Sequence, residues 1–182
     1  EGLIGTELFG KTLGVVGAGK IGTAVIRIAL AFGMKVLAHS RTVKSELEKL
    51  GVTFLPLEDL MGQSDIVSIH VPQNSRTLNL ISREQLERMK PTAMLINTAR
   101  GPIVDNAALA ELLQEGRIAA AGIDVFEMEP PIPKDHPLTA APNTILTPHV
   151  AFATREALER RAAIVFDNLK SWLSGTVKNQ VC

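Results

Sequence analysis

Lys11-Thr12-Leu13-Gly14-Val15-Val16-Gly17-Ala18-Gly19-Lys20-Ile21-Gly22 is the stretch whose reading decides the fold. Its first half is a short apolar run of the kind buried in a sheet, and its second half has the spacing G-x-G-x-x-G. From Ile21 to Phe32 apolar residues recur at helical spacing, so the segment reads strand, turn, helix. In such a turn Gly17 makes the tight reversal, Gly19 lets backbone approach a pyrophosphate, and Gly22 lets helix and strand pack closely. The helix N-terminus then faces an anion. A glycine turn without a ligand has the same spacing; its place at the first strand-to-helix turn favours phosphate binding.

Working outward, the alternation continues. Met34 to Ala38 reads as strand, Lys44 to Leu50 as helix, Thr53-Phe54 as a brief strand and Pro56 to Met61 as a helix opened by proline. Asp65 to His70 is apolar and β-branched, and Pro72-Gln73-Asn74-Ser75 is a polar turn. Ser82 with Gln85 has the spacing of a capping box for a helix to Met89. Ala93 to Asn97, Ala119 to Asp124 and Thr144 to Leu146 read as strands, Asp105 to Gln114 as a helix, and Thr154 to Leu173 as a final helix. The stretch Glu127 to Pro142, with prolines at 130, 131, 133, 137 and 142, reads as a defined surface loop. Strands alternating with helices at this period predict a doubly wound α/β fold with a parallel sheet.

Length predicts one domain over residues 1–182. Lys plus Arg equal Asp plus Glu at 19 each, so no basic excess points to nucleic acid or an anionic membrane surface. The longest apolar stretch, Ala24 to Ala38, is broken by Arg27 and Lys35, short of the roughly 18 uninterrupted residues of a spanning helix. A single cysteine, Cys182, excludes an internal disulfide framework, and no charged-then-apolar leader opens the chain. The expectation is a soluble, cytoplasmic protein with no metal site. The opening Glu1-Gly2-Leu3-Ile4-Gly5 reads as a run from within a longer protein.

At the end of the second strand, where an acid commonly holds an adenosine 2′-OH, stands His39-Ser40-Arg41-Thr42. An acid would repel a 2′-phosphate; Ser40 can donate a hydrogen bond to one and Arg41 can pair with it. The expectation is NAD(P)(H), tilted towards NADP(H). The other reading of Arg41 is a solvated loop residue, or one that stacks on adenine without selecting.

Three further strand ends carry ionisable groups: Asn97-Thr98-Ala99-Arg100-Gly101, then Gly122 to Pro131 with Glu129, then Thr147-Pro148-His149. A guanidinium can hold a carboxylate in fork geometry and polarise a neighbouring carbonyl, as reduction of a 2-oxo acid requires. Histidine, with an ordinary pKa of about 6.5, can give and take a proton near neutrality. A carboxylate beside it fixes the ring, so Arg100, Glu129 and His149 together are the candidate catalytic trio. Each alone reads more simply as a structural ion pair or a loop residue.

Gly17 to Gly22, His70-Val71-Pro72 with Thr77 and Leu80-Ile81, Asn97 to Gly101, Asp124 to Pro131 and Thr147 to His149 occur in the order of a known family. Together they resemble the Rossmann-type cofactor domain of the D-isomer-specific 2-hydroxyacid dehydrogenases. The resemblance implies that Arg100 binds substrate, that His149 is the proton donor and acceptor, and that Glu129 is its carboxylate partner. It places Lys20 and Ile21 at the pyrophosphate, and Thr98 and Asp124 at the ribose and carboxamide side. Val71, Pro72, Thr77, Ala99 and Ala151 would also touch the cofactor, and the substrate would be a small 2-hydroxy or 2-oxo acid.

The departures are Ser40 in place of the family's common acid and Asn74 where a threonine is usual. Ala151-Phe152-Ala153 is similar to the run in members resembling glycerate dehydrogenases or hydroxypyruvate reductases. Family members resemble two-domain homodimers whose substrate domain is built from both chain ends. Here that domain is expected to be largely absent, with the helix from Thr154 and the tail to Cys182 returning towards it. The chain alone is therefore expected to bind dinucleotide and turn over little. Leu109, Leu112 and Leu113 fit either a core or a dimer interface. Similar folds also serve as NAD(H)-sensing co-repressors, as hydrolases of adenosylhomocysteine, and as formate or phosphonate dehydrogenases; Arg100, Glu129 and His149 in this order favour the hydroxy acids over the hydrolase.

Overall fold

In the computed structural model, residues 5–180 are described; residues 1–4 of the opening run and Cys182 lie outside the described residues. Among the described residues seven strands form one parallel sheet: β1 (Thr12–Val16), β2 (Lys35–His39), β3 (Thr53–Phe54), β4 (Ile66–Ile69), β5 (Met94–Asn97), β6 (Ala120–Ile123) and β7 (Thr144–Leu146). Their order is β3-β2-β1-β4-β5-β6-β7. The chain steps outward from β1 to β3, then returns to lay β4 on the other side of β1. That reversal opens a crevice at the C-terminal ends of β1 and β4, where open α/β sheets take their ligands.

The intervening helices are α1 (Lys20–Ala31), α2 (Ser45–Glu48), α3 (Leu57–Gln63), α4 (Arg83–Glu87), α5 (Asn106–Gln114) and α6 (Pro137–Ala140). Successive strand residues point to opposite faces, so Val15 and Val16 enter different cores. Leu13 and Val15 pack with Ile26 and Ala29 of α1 and with Leu47 of α2. Val16, Val67 and Ile69 pack with Leu60 and Met61 of α3, Leu86 of α4 and Leu109 of α5. Helices on both faces make the sheet doubly wound. Leu109, Leu112 and Leu113 are all buried within this chain, which makes them core. Across the sheet, Asp65 accepts from Lys90 Nζ at 2.7 Å and from the Thr12 N–H at 2.8 Å. The Lys90 bond, then the Thr12 bond, hold its carboxyl below the ordinary carboxylate range.

Two local expectations are corrected. Ser82 is the N-cap of α4, but its side chain makes no capping hydrogen bond. Gln85 is buried with its Oε1 unpartnered among the described residues, so it points into the fold rather than back at the N-cap. The supposedly irregular Glu127 to Pro142 contains α6, begun by His136, whose Nδ1 accepts the Leu138 N–H at 3.3 Å. A 3-10 turn over Gly101–Ile103 follows β5 after Thr98, Ala99 and Arg100.

The chain divides into two compact units at His149/Val150. The second unit carries α7 (Arg155–Leu173), whose N-cap Thr154 accepts the Ala157 N–H at 3.1 Å. Within it the Arg161 guanidinium lies 5.7 Å from the Phe152 ring centroid, and Lys178 pairs with Asp167 at 3.0 Å. No helix among the described residues is long and apolar enough to cross a membrane.

Candidate active site

The glycine turn sits at the sheet's reversal, and its glycines are required by contact. Gly17 has φ +104°, and a Cβ there would lie 2.8 Å from the His70 backbone at the end of β4. A Cβ on Gly22 would lie 1.9 Å from the Gly17 carbonyl oxygen. A Cβ on Gly19, by contrast, would meet nothing within 4 Å. Gly17 and Gly22 thus close the packing of strand and helix, while Gly19 leaves an approach open at the N-terminus of α1.

That approach leads into a cleft of about 440 Å³. Gly17 and Gly19 form its floor; Ser40, Arg41 and Thr42 line one wall, and Val71, Pro72 and Thr77 the other. Lys20, Ile21 and Gly22 begin α1 beside the turn rather than lining the cleft. The far wall is tightly built. Thr77 Oγ1 donates to the Pro72 carbonyl at 2.7 Å and accepts the Asn74 N–H at 2.8 Å, while Asn74 Oδ1 accepts the Arg76 N–H at 3.0 Å. His39, Lys44, His70, Asn74 and Arg76 also line the cleft; the sequence reading names His39, His70 and Asn74, and Lys44 as a helix start, without giving them a binding role, and passes over Arg76. For Asn74 a signal exists in the Asn-x-x-Thr spacing of a side-chain-bonded turn; loop cations such as Lys44 and Arg76 carry none.

His70 stands in this wall with Nε2 2.8 Å from Ser68 Oγ, and burial pushes its pKa below the ordinary 6.5. The unfolded chain then takes up the proton first as pH falls. Stability is therefore full above about pH 6.5 and declines below it. The Tm is expected to drop between about pH 7.5 and 5.5, and His70→Gln to flatten that drop. Equal slopes in the two proteins would remove His70 as the cause.

A second, smaller cleft of about 130 Å³ is lined by Arg100, Glu127, Glu129 and His149, with Gln73 at its edge. Gln73 lies between Pro72 and Asn74 of the larger cleft, so the loop after β4 separates the two. His149 Nδ1 is 3.0 Å from Glu129 Oε2. The backbone of His149 is left-handed, φ +57°, and its N–H donates to the Asp124 carbonyl at 2.8 Å, which sets the ring over the cleft. Asp124 itself is buried, and its Oδ1 accepts from Thr147 Oγ1 at 2.5 Å. Asn97, also buried, accepts the Ala99 N–H at 3.0 Å and donates Nδ2 to the Arg100 carbonyl at 3.0 Å, fixing the turn that presents Arg100. Arg100 Nη1 donates to the Ala99 carbonyl at 2.6 Å.

Glu127, two residues before Glu129, anchors the same segment. Its Oε1 accepts Asn106 Nδ2 at 2.7 Å and its Oε2 lies 3.0 Å from His136 Nε2. Since His136 Nδ1 is an acceptor, its proton sits on Nε2 and is donated to Glu127. Desolvation raises the Glu127 pKa, but the bonds from His136, its own backbone and Asn106 outweigh this and hold it below the ordinary value. The structure thus brings Arg100, Glu129 and His149 to one cleft. Thr98, Ala99 and Asp124 flank it without lining it, and Ala151 belongs to the second unit.

Residues 1–151 match the family model of the D-isomer specific 2-hydroxyacid dehydrogenase, NAD binding domain. The chain belongs to this family. Its nicotinamide-dinucleotide-binding domain is similar to a glyoxylate reductase of Aeropyrum pernix, 51% identical over 176 residues covering 96% of this chain and 52% of that protein. The NAD-complexed D-isomer specific 2-hydroxyacid dehydrogenase of Lactobacillus delbrueckii ssp. bulgaricus superposes with a TM-score of 0.88 at 35% identity, over 99% of this chain and 58% of that one. An acyclic imino acid reductase in complex with NADPH and D-Arg gives a TM-score of 0.86 at 36% identity, over 98% and 56%. The dehydrogenase-family chain spans about half the length of the curated relatives it matches.

Proposed function

We propose that this dehydrogenase-family chain is the cofactor half of an NADPH-preferring reductase of small 2-oxo acids of the glyoxylate or hydroxypyruvate type. The convergence of Arg100, Glu129 and His149 on one cleft, beside a second cleft floored by the glycine turn, carries the reading. The larger cleft fits a dinucleotide: it has an open approach at Gly19, a helix N-terminus able to receive a pyrophosphate, and Ser40 and Arg41 in its lining, both able to donate hydrogen bonds to a 2′-phosphate. When bound, the nicotinamide supplies or accepts the hydride.

The chain's own residues do the rest. Arg100 holds the substrate carboxylate and keeps the adjacent carbonyl oriented. With Nδ1 engaged by Glu129, His149 delivers a proton from Nε2 to the carbonyl oxygen as its carbon is reduced, giving the 2-hydroxy acid; oxidation runs the same transfer backwards. Glu129 stabilises the charged ring and holds its orientation. Exposed apolar residues along α7, among them Phe166, Trp172 and Leu173, support a homodimer or docking to a further domain.

The cofactor reading is tested by titrating the chain separately with NADPH and NADH, following nicotinamide fluorescence. NADPH is expected to bind at least about tenfold tighter, equivalent to about 1.4 kcal/mol. Equal or tighter NADH binding would make Arg41 a bystander while leaving the Arg100, Glu129 and His149 roles intact.

A further inference from the structure

The 440 Å³ cleft is one-sided in charge. Arg41, Lys44 and Arg76 line it with His39 and His70, and no aspartate or glutamate does, although the whole chain carries 19 residues of each sign. Among the described residues none of these three cations forms an ion pair with a carboxylate. Elsewhere on this surface arginines and lysines do pair, as Arg83 does with Glu111 and Lys90 with Asp65. Unpaired cations held around one concavity mark an anion site, and a pyrophosphate at the helix N-terminus already has backbone N–H groups to receive it.

The placement of the two cations outside the Ser40-Arg41-Thr42 run is specific. Lys44 Nζ donates to Thr23 Oγ1 at 3.3 Å, and Thr23 Oγ1 donates to the Ala18 carbonyl at 3.2 Å. The ammonium is thereby moored beside the glycine turn and the first turn of α1. Arg76 stands on the opposite wall, on the turn after β4. Its backbone is fixed by Asn74 Oδ1, and its side chain is exposed towards the cleft.

Resting on the NADP(H) reading of Ser40 and Arg41, we propose that Arg76 and Lys44 are specificity-determining residues that close on the cofactor's 2′-phosphate from both walls of the cleft. A phosphate monoester carries about −1.5 to −2 charges at neutral pH and offers three acceptor oxygens, enough for donors from both sides. NADH lacks that group, so the contribution of both side chains falls on NADPH alone.

The test measures NADPH and NADH affinities of the wild-type chain and of Arg76→Gln, Lys44→Gln and Arg76→Lys, with thermal unfolding as the check on folding. Each Gln variant is expected to weaken NADPH by about five- to tenfold while NADH changes by less than about twofold. Arg76→Lys should retain most of the preference, and raising the salt should shrink it in the wild type more than in the Gln variants. As a smaller probe, 2′-AMP should compete with NADPH better than 5′-AMP does, and lose that advantage in Arg76→Gln. If both cofactors weaken equally, the two cations serve the pyrophosphate or adenine and the proposal is overturned; no change in either also overturns it. A wild-type chain that prefers NADH sinks the underlying cofactor reading instead, and is recognised before any variant is made.

Discussion

Gly22→Ala is expected to abolish measurable dinucleotide binding and to lower Tm by about 4–12 °C. The added Cβ would lie 1.9 Å from the Gly17 carbonyl oxygen and 3.1 Å from its carbon. Neither is the end of a flexible side chain, so the strain is relieved only by moving α1 away from the turn. Overpacking against backbone costs about 2–3 kcal/mol, and a protein of this size loses about 2–4 °C of Tm per kcal/mol. Displacing α1 also turns its N-terminal N–H groups away from the cleft, which removes the pyrophosphate contact as well as stability. Gly19→Ala separates the two effects. Its Cβ meets nothing and its φ is −70°, so Tm should hold within about 1–2 °C while binding weakens through blocked approach. Thermal unfolding and NADPH titration on both variants decide it; unchanged binding in Gly22→Ala would disconnect the turn from the cofactor.

The second large effect is on chemistry. On the proposed function, His149→Asn in the complete enzyme is expected to lower kcat/KM for glyoxylate or hydroxypyruvate by about 10²–10⁴-fold, the usual worth of a positioned acid or base. Asparagine is the replacement of choice because residue 149 has φ +57°, a region asparagine tolerates and most side chains do not. The backbone bond to the Asp124 carbonyl is then kept, and NADPH affinity should stay within about twofold of wild type, since His149 lines the smaller cleft and not the larger. Glu129→Gln should cost less, because the ring keeps its place on the backbone while losing the charge at Nδ1. Steady-state reduction of the two acids, with cofactor titration alongside, is the measurement. A His149→Asn enzyme of near-normal kcat/KM would remove the histidine from proton transfer.

The sheet was legible because its signals are local and strong: apolar runs at β1, β4, β5 and β6, helical periodicity in α1, and glycines whose spacing has one common structural reason. The capping box at Ser82 was misleading because the same spacing also places Gln85 on an inward face, and burial overrode the local hydrogen bond. α6 was hidden by its prolines, since Pro137 at a helix start and Pro142 beyond its end look like loop punctuation when the four helical residues between them are too few to show a period.

The trio was legible as residue types at strand ends, because a parallel sheet delivers every strand's C-terminal end to the same edge. The network of Glu127 with His136 and Asn106, and the carboxylate-free lining that gathers Lys44 and Arg76 from separate loops, were not. By itself the sequence determined the alternation of elements, the glycine turn and the ionisable residue types that stand after the strand ends, all of which rest on neighbours within a few residues. Only the tertiary structure decided which loop side chains share a cleft and that Glu127 is engaged by Asn106 and His136 while Glu129 lies beside His149. Those depend on contacts between segments far apart in the chain, and sequence spacing carries no measure of that distance.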